Sequence, residues 1–196
     1  LTLPDGLSAT IVADSVGHLR HLAINANGDE YASLSALEDG KGIYMLSDTN
    51  KDGNLDKVTG FAGYPGTGIV IKNGYLYSAS NSGVFRYQLN DKGVVVSPDD
   101  AEEIVQGLVD RKRDNSKSIA IDDQNNLYVT VGSYSDACRE EGSGKGIAGC
   151  PLLDSVGGIW QFKAGKLHQS YGDAVHYGSG IKNAVGIAWN TNTNCL

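Results

Sequence analysis

The chain has 196 residues, 26 of them glycine, with a formal net charge of −7 and a pI of about 5.0. Such acidity argues against a nucleic-acid partner, because phosphate binding needs clustered Lys and Arg, and the one basic run is Arg111-Lys112-Arg113. No run of about eighteen apolar residues is present to span a membrane, and no segment carries sustained helical periodicity, so strands are the expected elements.

Leu1 opens on Leu3-Pro4-Asp5-Gly6 with no signal peptide, the start expected of a mature or trimmed chain. Ser8 to Ala13 reads as the outer strand of a blade completed elsewhere. Leu22-Ala23-Ile24, a polar turn at Asn25 to Asp29, Glu30-Tyr31-Ala32-Ser33 and then Gly42 to Leu46 form a first set of short strands. The phrase returns as Ile69-Val70-Ile71, Lys72-Asn73-Gly74, Leu76 to Ala79 and Gly83 to Tyr87. After the acidic run Asp99 to Glu103, most simply a solvated loop, Ile104 to Val109 reads as an outer strand leading inward to Asp114. A third copy follows at Ser118 to Ser133 and Gly158 to Phe162, with an insertion between Tyr134 and Gly157. Ile187-Ala188-Trp189 begins a fourth.

Equivalent residues Ala23, Val70, Ala120 and Ala188 are 47, 50 and 68 positions apart. A period in the high forties built from short strands is the signature of a β-propeller blade. A β-sandwich would explain the spacing of strands but not the return of a whole phrase. The expected fold is therefore all-β, a β-propeller. Residues 1–196 form a single domain of about three blades with partial strands at each end, an incomplete fragment of a closed ring. Ile24, Ile71 and Ile121 are expected on inner strands, packed between sheets.

In a propeller, the segment leading into each innermost strand sits at the mouth of the central channel, where functional side chains converge. Five residues before the strand, the four repeats offer Gly17, Tyr64, Asp114 and Lys182. One residue before it they offer His21, Gly68, Ser118 and Gly186. Within the first blade, Asp48, Asn50, Asp52, Asn54 and Asp56 place oxygen donors in the order of a calcium loop, with Gly53 for the turn. Position twelve is Thr59 in place of a bidentate Glu, so the loop is not an EF-hand. It is either a short open site for a structural Ca²⁺ or an Asx-rich hairpin tip that needs no ion.

Cys138 and Cys150 lie in the Gly- and Ser-rich insertion. A bridge there would remove closure entropy of roughly 3 kcal/mol from the unfolded chain. The alternatives are two free thiols or half of a metal site. A bridge implies an oxidising compartment, hence a periplasmic or secreted protein. Cys195 is left without a partner.

The segment Gly180-Ile181-Lys182-Asn183-Ala184-Val185-Gly186-Ile187 resembles the G-[LIH]-R-N-[PA]-x-G-[LI] motif of the soluble pyrroloquinoline quinone (PQQ)-dependent sugar dehydrogenases, the glucose and sorbosone dehydrogenase family. Arg20 to Ala23, Asp48 to Asp56, Ser116 to Ala120, Gly157 to Trp160 and the cysteine pair resemble the sorbosone branch. The resemblance covers essentially the whole chain, which corresponds to the N-terminal half of such a protein. It implies a six-bladed propeller that oxidises a sugar by hydride transfer to PQQ, with Ca²⁺ as a second cofactor. A small sugar is then the substrate, and the electron acceptor stays unidentified.

The family's Arg-Asn pair falls on Lys182 and Asn183; lysine keeps the charge without the planar fork of Arg. The family's catalytic histidine falls on Asp114, a carboxylate in the place of a base. Lys117 joins Lys182 as a candidate contact for the PQQ carboxylates. Two other readings remain: a non-catalytic propeller that binds carbohydrate or protein, and a calcium-dependent lactonase-type propeller using Asp114 and Asn183. A homodimer of half-rings would bury the open edge strands.

Overall fold

The computed structural model describes residues 2–136, 138–140 and 142–196. Among them the chain forms strands and two short 3₁₀ turns, with no α-helix. The strands are β1 (Leu19–Ile24), β2 (Glu30–Glu38), β3 (Lys41–Ser47), β4 (Lys57–Phe61), β5 (Gly66–Lys72), β6 (Tyr75–Ser80), β7 (Val84–Gln88), β8 (Glu102–Val105), β9 (Ile119–Ile121), β10 (Asn126–Val131), β11 (Gly158–Lys163) and β12 (Val175–Ser179). They pair into three four-stranded antiparallel sheets, β1 to β4, β5 to β8 and β9 to β12, each a meander in chain order. These are propeller blades.

The register shows why the phrase repeats. Ala23 lies opposite Tyr31, Val70 opposite Tyr77, and Ala120 opposite Tyr128. The small partner leaves room for the ring, and the ring hydroxyl reaches toward the next blade. Tyr31 donates to the Gly93 carbonyl at 2.8 Å, and Tyr77 to the Ala164 carbonyl at 3.4 Å. Tyr128 instead donates to Asp122 at 3.0 Å, while its ring stacks on Trp189.

The core lies between sheets. Tyr31, Ile43, Phe61, Ile69, Leu76 and Tyr87 fill the first junction. Tyr77, Val84, Ile104, Leu127, Val129, Trp160 and Phe162 fill the second. Leu76 and Tyr77 are neighbours in β6 yet serve opposite junctions, as the period of two dictates. A middle blade covered on both faces therefore reads as an apolar run instead of an alternation.

Several expectations are corrected. Ile24 is 61% exposed, because no blade covers the free face of β1, whereas Ile121 is buried as expected. Ser8 to Ala13 forms no strand; Val12 only accepts a hydrogen bond from the Leu55 N–H. Ile187 to Trp189 forms no strand either, and its turn closes through the Asn190–Cys195 bridge. The outer strands β4 and β12 escaped the sequence reading, because Lys57-Val58-Thr59-Gly60 and Val175-His176-Tyr177-Gly178 are short and mostly exposed.

Alternating strand direction divides the loops between two ends. The hairpin turns after β1, β5 and β9 and the loop Asp48 to Asp56 lie at one end. The inter-blade segments before β5 and β9, the loop between β10 and β11, and Gly180 to Gly186 lie at the other.

Candidate functional site at the channel mouth

Asp114 sits in the inter-blade segment with φ of 48°, and Lys112 beside it at 61°, so both occupy left-handed backbone unusual outside glycine. The segment holds itself in that shape. Asn115 Nδ2 donates to Asp110 Oδ1 at 3.1 Å, the Lys112 N–H to the same oxygen at 3.1 Å, and Lys117 Nζ to the Asn115 carbonyl at 2.7 Å. The Lys117 carbonyl in turn accepts from the Gly68 N–H at 2.8 Å, tying the segment to β5. A Cβ at Gly68 would stand 2.5 Å from that carbonyl, so the approach needs glycine.

The segment Gly180 to Gly186 is clamped from below. The Ser133 N–H donates to the Lys182 carbonyl at 2.6 Å, and the Ile181 N–H to the Gly157 carbonyl at 2.9 Å. Its far end runs toward the axis: Ser118 Oγ donates to the Val185 carbonyl, which is also the hydrogen-bond partner of the His21 ring. Burial, chiefly, holds the His21 imidazole below its usual range.

These two segments bring Asp114, Lys182 and Asn183 together. Lys182 Nζ is paired with Asp114 Oδ2, and Asn183 Nδ2 donates to Asp114 Oδ1 at 3.3 Å. Lys182 Nζ also lies 3.2 Å from Asp136 Oδ1, and Arg113 Nη2 lies 2.6 Å from both oxygens of Asp136. The result is a group of two cations and two carboxylates in which every member has a partner. Hydrogen bonding to Asp114 raises the Lys182 ammonium above its usual range, and Arg113 holds Asp136 below the usual carboxylate range. Asn183 Oδ1 is buried and has no hydrogen-bond partner among the described residues.

Gly132, at the end of β10, makes the cluster possible. A Cβ there would stand 2.2 Å from the Asp114 carbonyl oxygen and 2.7 Å from Asn183 Oδ1. Gly132, Arg113 and Asp136 went unread in the sequence. Arg113 belonged to a basic run that looks like a solvated loop, and Asp136 lies just inside the insertion, where no repeat spacing applies.

Lys117 does not join the cluster. Its side chain is fully buried, and burial, opposed by Asp110, pushes its ammonium down to about 8. The loop Asp48 to Asp56 lies at the opposite end and is bonded to itself. Asp48 accepts the N–H groups of Lys51 at 2.6 Å and Gly53 at 2.8 Å, Asp52 that of Asn54 at 2.8 Å, and Asp56 that of Thr49 at 2.8 Å. Asn50 donates through its amide to Asp52 at 3.0 Å. Among the described residues no group of three or more His, Cys, Asp or Glu is placed to hold a metal ion. Cys138 and Cys150 are bridged, and Cys195 is a free, exposed thiol.

The TrAA12-like family signature matches residues 1–196. The chain belongs to the TrAA12-like family. No curated protein matches its sequence. Among solved structures, the TrAA12-like chain is similar in fold to the calcium structure of the Trichoderma reesei carbohydrate-active enzyme of family AA12. That match has a TM-score of 0.69 at 13% identity, over 89% of this chain and 43% of the other. It is also similar to the holo form of the pyranose dehydrogenase PQQ domain from Coprinopsis cinerea, with a TM-score of 0.62 at 13% identity over 85% and 39%. A putative glucose dehydrogenase from Thermus thermophilus gives 0.51 at 15% identity over 79% and 47%. The TrAA12-like chain thus spans less than half the length of each of these proteins.

Proposed function

We propose that this chain supplies the first blades of a PQQ-dependent sugar dehydrogenase, which oxidises a sugar hydroxyl or aldehyde by hydride transfer to the quinone. The observation that carries the reading is the convergence of Asp114, Lys182 and Asn183 at the mouth of a TrAA12-like propeller. A placement within the sorbosone branch rests on the motif phrases alone. A secreted or periplasmic location is supported by the Cys138–Cys150 bridge, because disulfides persist in oxidising compartments.

The residues present fit part of PQQ. Its carboxylates call for fixed cations, and the mouth offers Lys182 together with Arg20, an exposed residue whose guanidinium donates to Thr67 Oγ1 at 2.9 Å. Lys182 is shared between two carboxylates, so it would bind an anion by exchanging one of them. When bound, PQQ would supply the hydride-accepting quinone. Asp114 would take the proton from the sugar hydroxyl, giving up its bond to Lys182 or Asn183 to do so. Asn183 Oδ1, buried without a donor, is suited to orient a second hydroxyl of the sugar. Ca²⁺ is proposed as a cofactor of the complete protein; an ion in the Asp48 to Asp56 loop would serve the fold, because that loop is at the far end.

That free oxygen beside a carboxylate also favours the second reading, a calcium-dependent lactonase-type propeller, in which Asp114 and Asn183 would ligate the ion. Titration with PQQ and with Ca²⁺, followed by the fluorescence of Trp160 and Trp189, separates the two. The dehydrogenase reading expects weak, saturable PQQ binding that Lys182→Met abolishes, with no turnover of glucose or sorbosone by this chain alone. Binding of Ca²⁺ lost in Asn183→Ala, with no response to PQQ, would favour the lactonase.

A further inference from the structure

Lys117 is fully buried at the base of the segment that carries Asp114, and neither reading gives it a task. We propose that Lys117 is a positioning residue, whose ammonium clamps this segment so that Asp114 meets Lys182 and Asn183. The inference deepens the dehydrogenase reading and rests on it only in taking Asp114 as the group to be placed.

The segment cannot place Asp114 by its own backbone. From Asp110 to Ser116 no backbone group bonds to another backbone group among the described residues. Lys112 and Asp114 both sit in left-handed backbone, a conformation that persists only where the surroundings over-determine it. Side chains must therefore supply the hold. Asp110 gives part of it, through Asn115 Nδ2 and the Lys112 N–H, but Asp110 is exposed and water competes for both bonds. Lys117 gives the part that burial shields. Its Nζ donates to the Asn115 carbonyl at 2.7 Å, one residue beyond Asp114. A charged donor makes a bond about twice as strong as a neutral one.

The root of the clamp is rigid. The Lys117 carbonyl accepts from the Gly68 N–H at 2.8 Å, and the Ser118 N–H donates to Thr130 Oγ1 at 2.9 Å. Lys117 thus stands at the fixed entrance to β9 and reaches back along its own segment. Among the described residues its ammonium makes that one hydrogen bond, although it has three donors, and Asp110 is the one charged group that acts on it. Burying a cation so poorly matched costs the fold stability. A side chain kept at such a cost beside a site is expected to serve the site.

The clamp depends on its proton. Burial pushes the ammonium down to about 8, whereas Lys182 is held above its usual range and keeps its charge as the pH rises. The ¹³C shifts of Lys117 Cε and Asn183 Cγ, followed from about pH 6.5 to 9.5 without cofactor or sugar, test the proposal. The two should move together, with one midpoint near pH 8. Asp110→Asn keeps an oxygen for Asn115 and Lys112 but removes the charge that supports the ammonium, so it should lower the shared midpoint. Lys117→Met should hold Asn183 Cγ at its high-pH position throughout, while the chain gains stability in urea at about pH 6.5. A structural lysine would not give that pairing. An Asn183 shift that ignores the titration of Lys117, that is unchanged in Lys117→Met, or that is lost there together with stability would overturn the inference. Coupled shifts in a chain that never binds PQQ would keep the clamp and defeat the dehydrogenase reading. PQQ binding with Asn183 indifferent to Lys117 would do the reverse.

Discussion

Lys117 shows how one side chain can hold a repeat-equivalent position near the mouth and yet be buried apart from the cluster there. Its position near the mouth suggests a contact for an anionic cofactor, but its ammonium is buried and points at the Asn115 carbonyl. The chain therefore carries a charge whose burial disfavours folding. The folded-state pKa is about 8 against 10.5 for an ordinary lysine. Below pH 8 the group is protonated in both states, and the folded state bears the full cost, about 3 kcal/mol. Between pH 8 and 10.5 the folded state has shed its proton and the unfolded state has not, so stability rises with pH. Lys117→Met should thus be more stable than the parent at pH 6.5, with the gap narrowing by about 2 kcal/mol at pH 9.5. Urea unfolding at the two pH values measures it, and a gap independent of pH would show that the lysine is not desolvated.

Gly132 teaches the opposite lesson at the same scale, since nothing in the repeat marks it. Its importance comes from two groups far away in sequence, the Asp114 carbonyl and Asn183, that meet over its missing side chain. Asp114, Lys182 and Asn183 were legible because they hold repeat-equivalent or motif positions. Gly132, Arg113 and Asp136 were not, because only the folded loops bring them close. Gly132→Ala should destabilise the chain by about 1–3 kcal/mol through overpacking. It should also break the Asp114–Asn183 contact, seen as a shift of the Asn183 side-chain amide. An unchanged Asn183 resonance would remove Gly132 from the site.

Among the elements, the inner three strands of each blade were readable and the outermost were uneven. β6 is an apolar run because blades cover it on both sides, and β2 and β10 are mostly buried between their own neighbouring strands; such runs stand out in a sequence. β4 and β12 face solvent and are short, so their composition resembles that of loops. The Asp48 to Asp56 hairpin tip was legible as either a calcium loop or an Asx-rich tip, and the bonds within it are those of the second form. Each carboxylate that a cation would use already accepts backbone N–H groups, and these bonds hold Asp52 and Asp56 below the usual carboxylate range. Asp48→Ala removes the acceptor for three N–H groups, those of Lys51, Asp52 and Gly53. The expected loss is about 1–2 kcal/mol of stability, equal in Ca²⁺ and in EDTA. Thermal melts that differ between parent and variant only when Ca²⁺ is present would instead identify a cation loop.

For the whole molecule, the repeat made the architecture legible, and the exposed faces are its direct consequence. Each blade completes its core against a neighbour, so an arc of three leaves one face of the first and one of the third without cover. Leu22 is 52% exposed and Ile24 61% on β1, while Val175 is 59% exposed and Tyr177 47% on β12. Tyr128, whose counterparts bond to the following blade, turns back on Asp122, and Trp189 packs on its ring. Surfaces built like blade junctions should attract other such surfaces, including those of a second copy. The chain alone at micromolar concentration should therefore sediment as a homodimer, its two arcs joined through these faces. The double substitution Leu22→Glu, Ile24→Glu should return it to monomer without shifting the β-sheet signal in circular dichroism, because neither side chain lies in a blade junction. A parent chain that sediments as a monomer across that range would mean that Trp189 and the turn after it already shield the third blade well enough for the arc to stand alone.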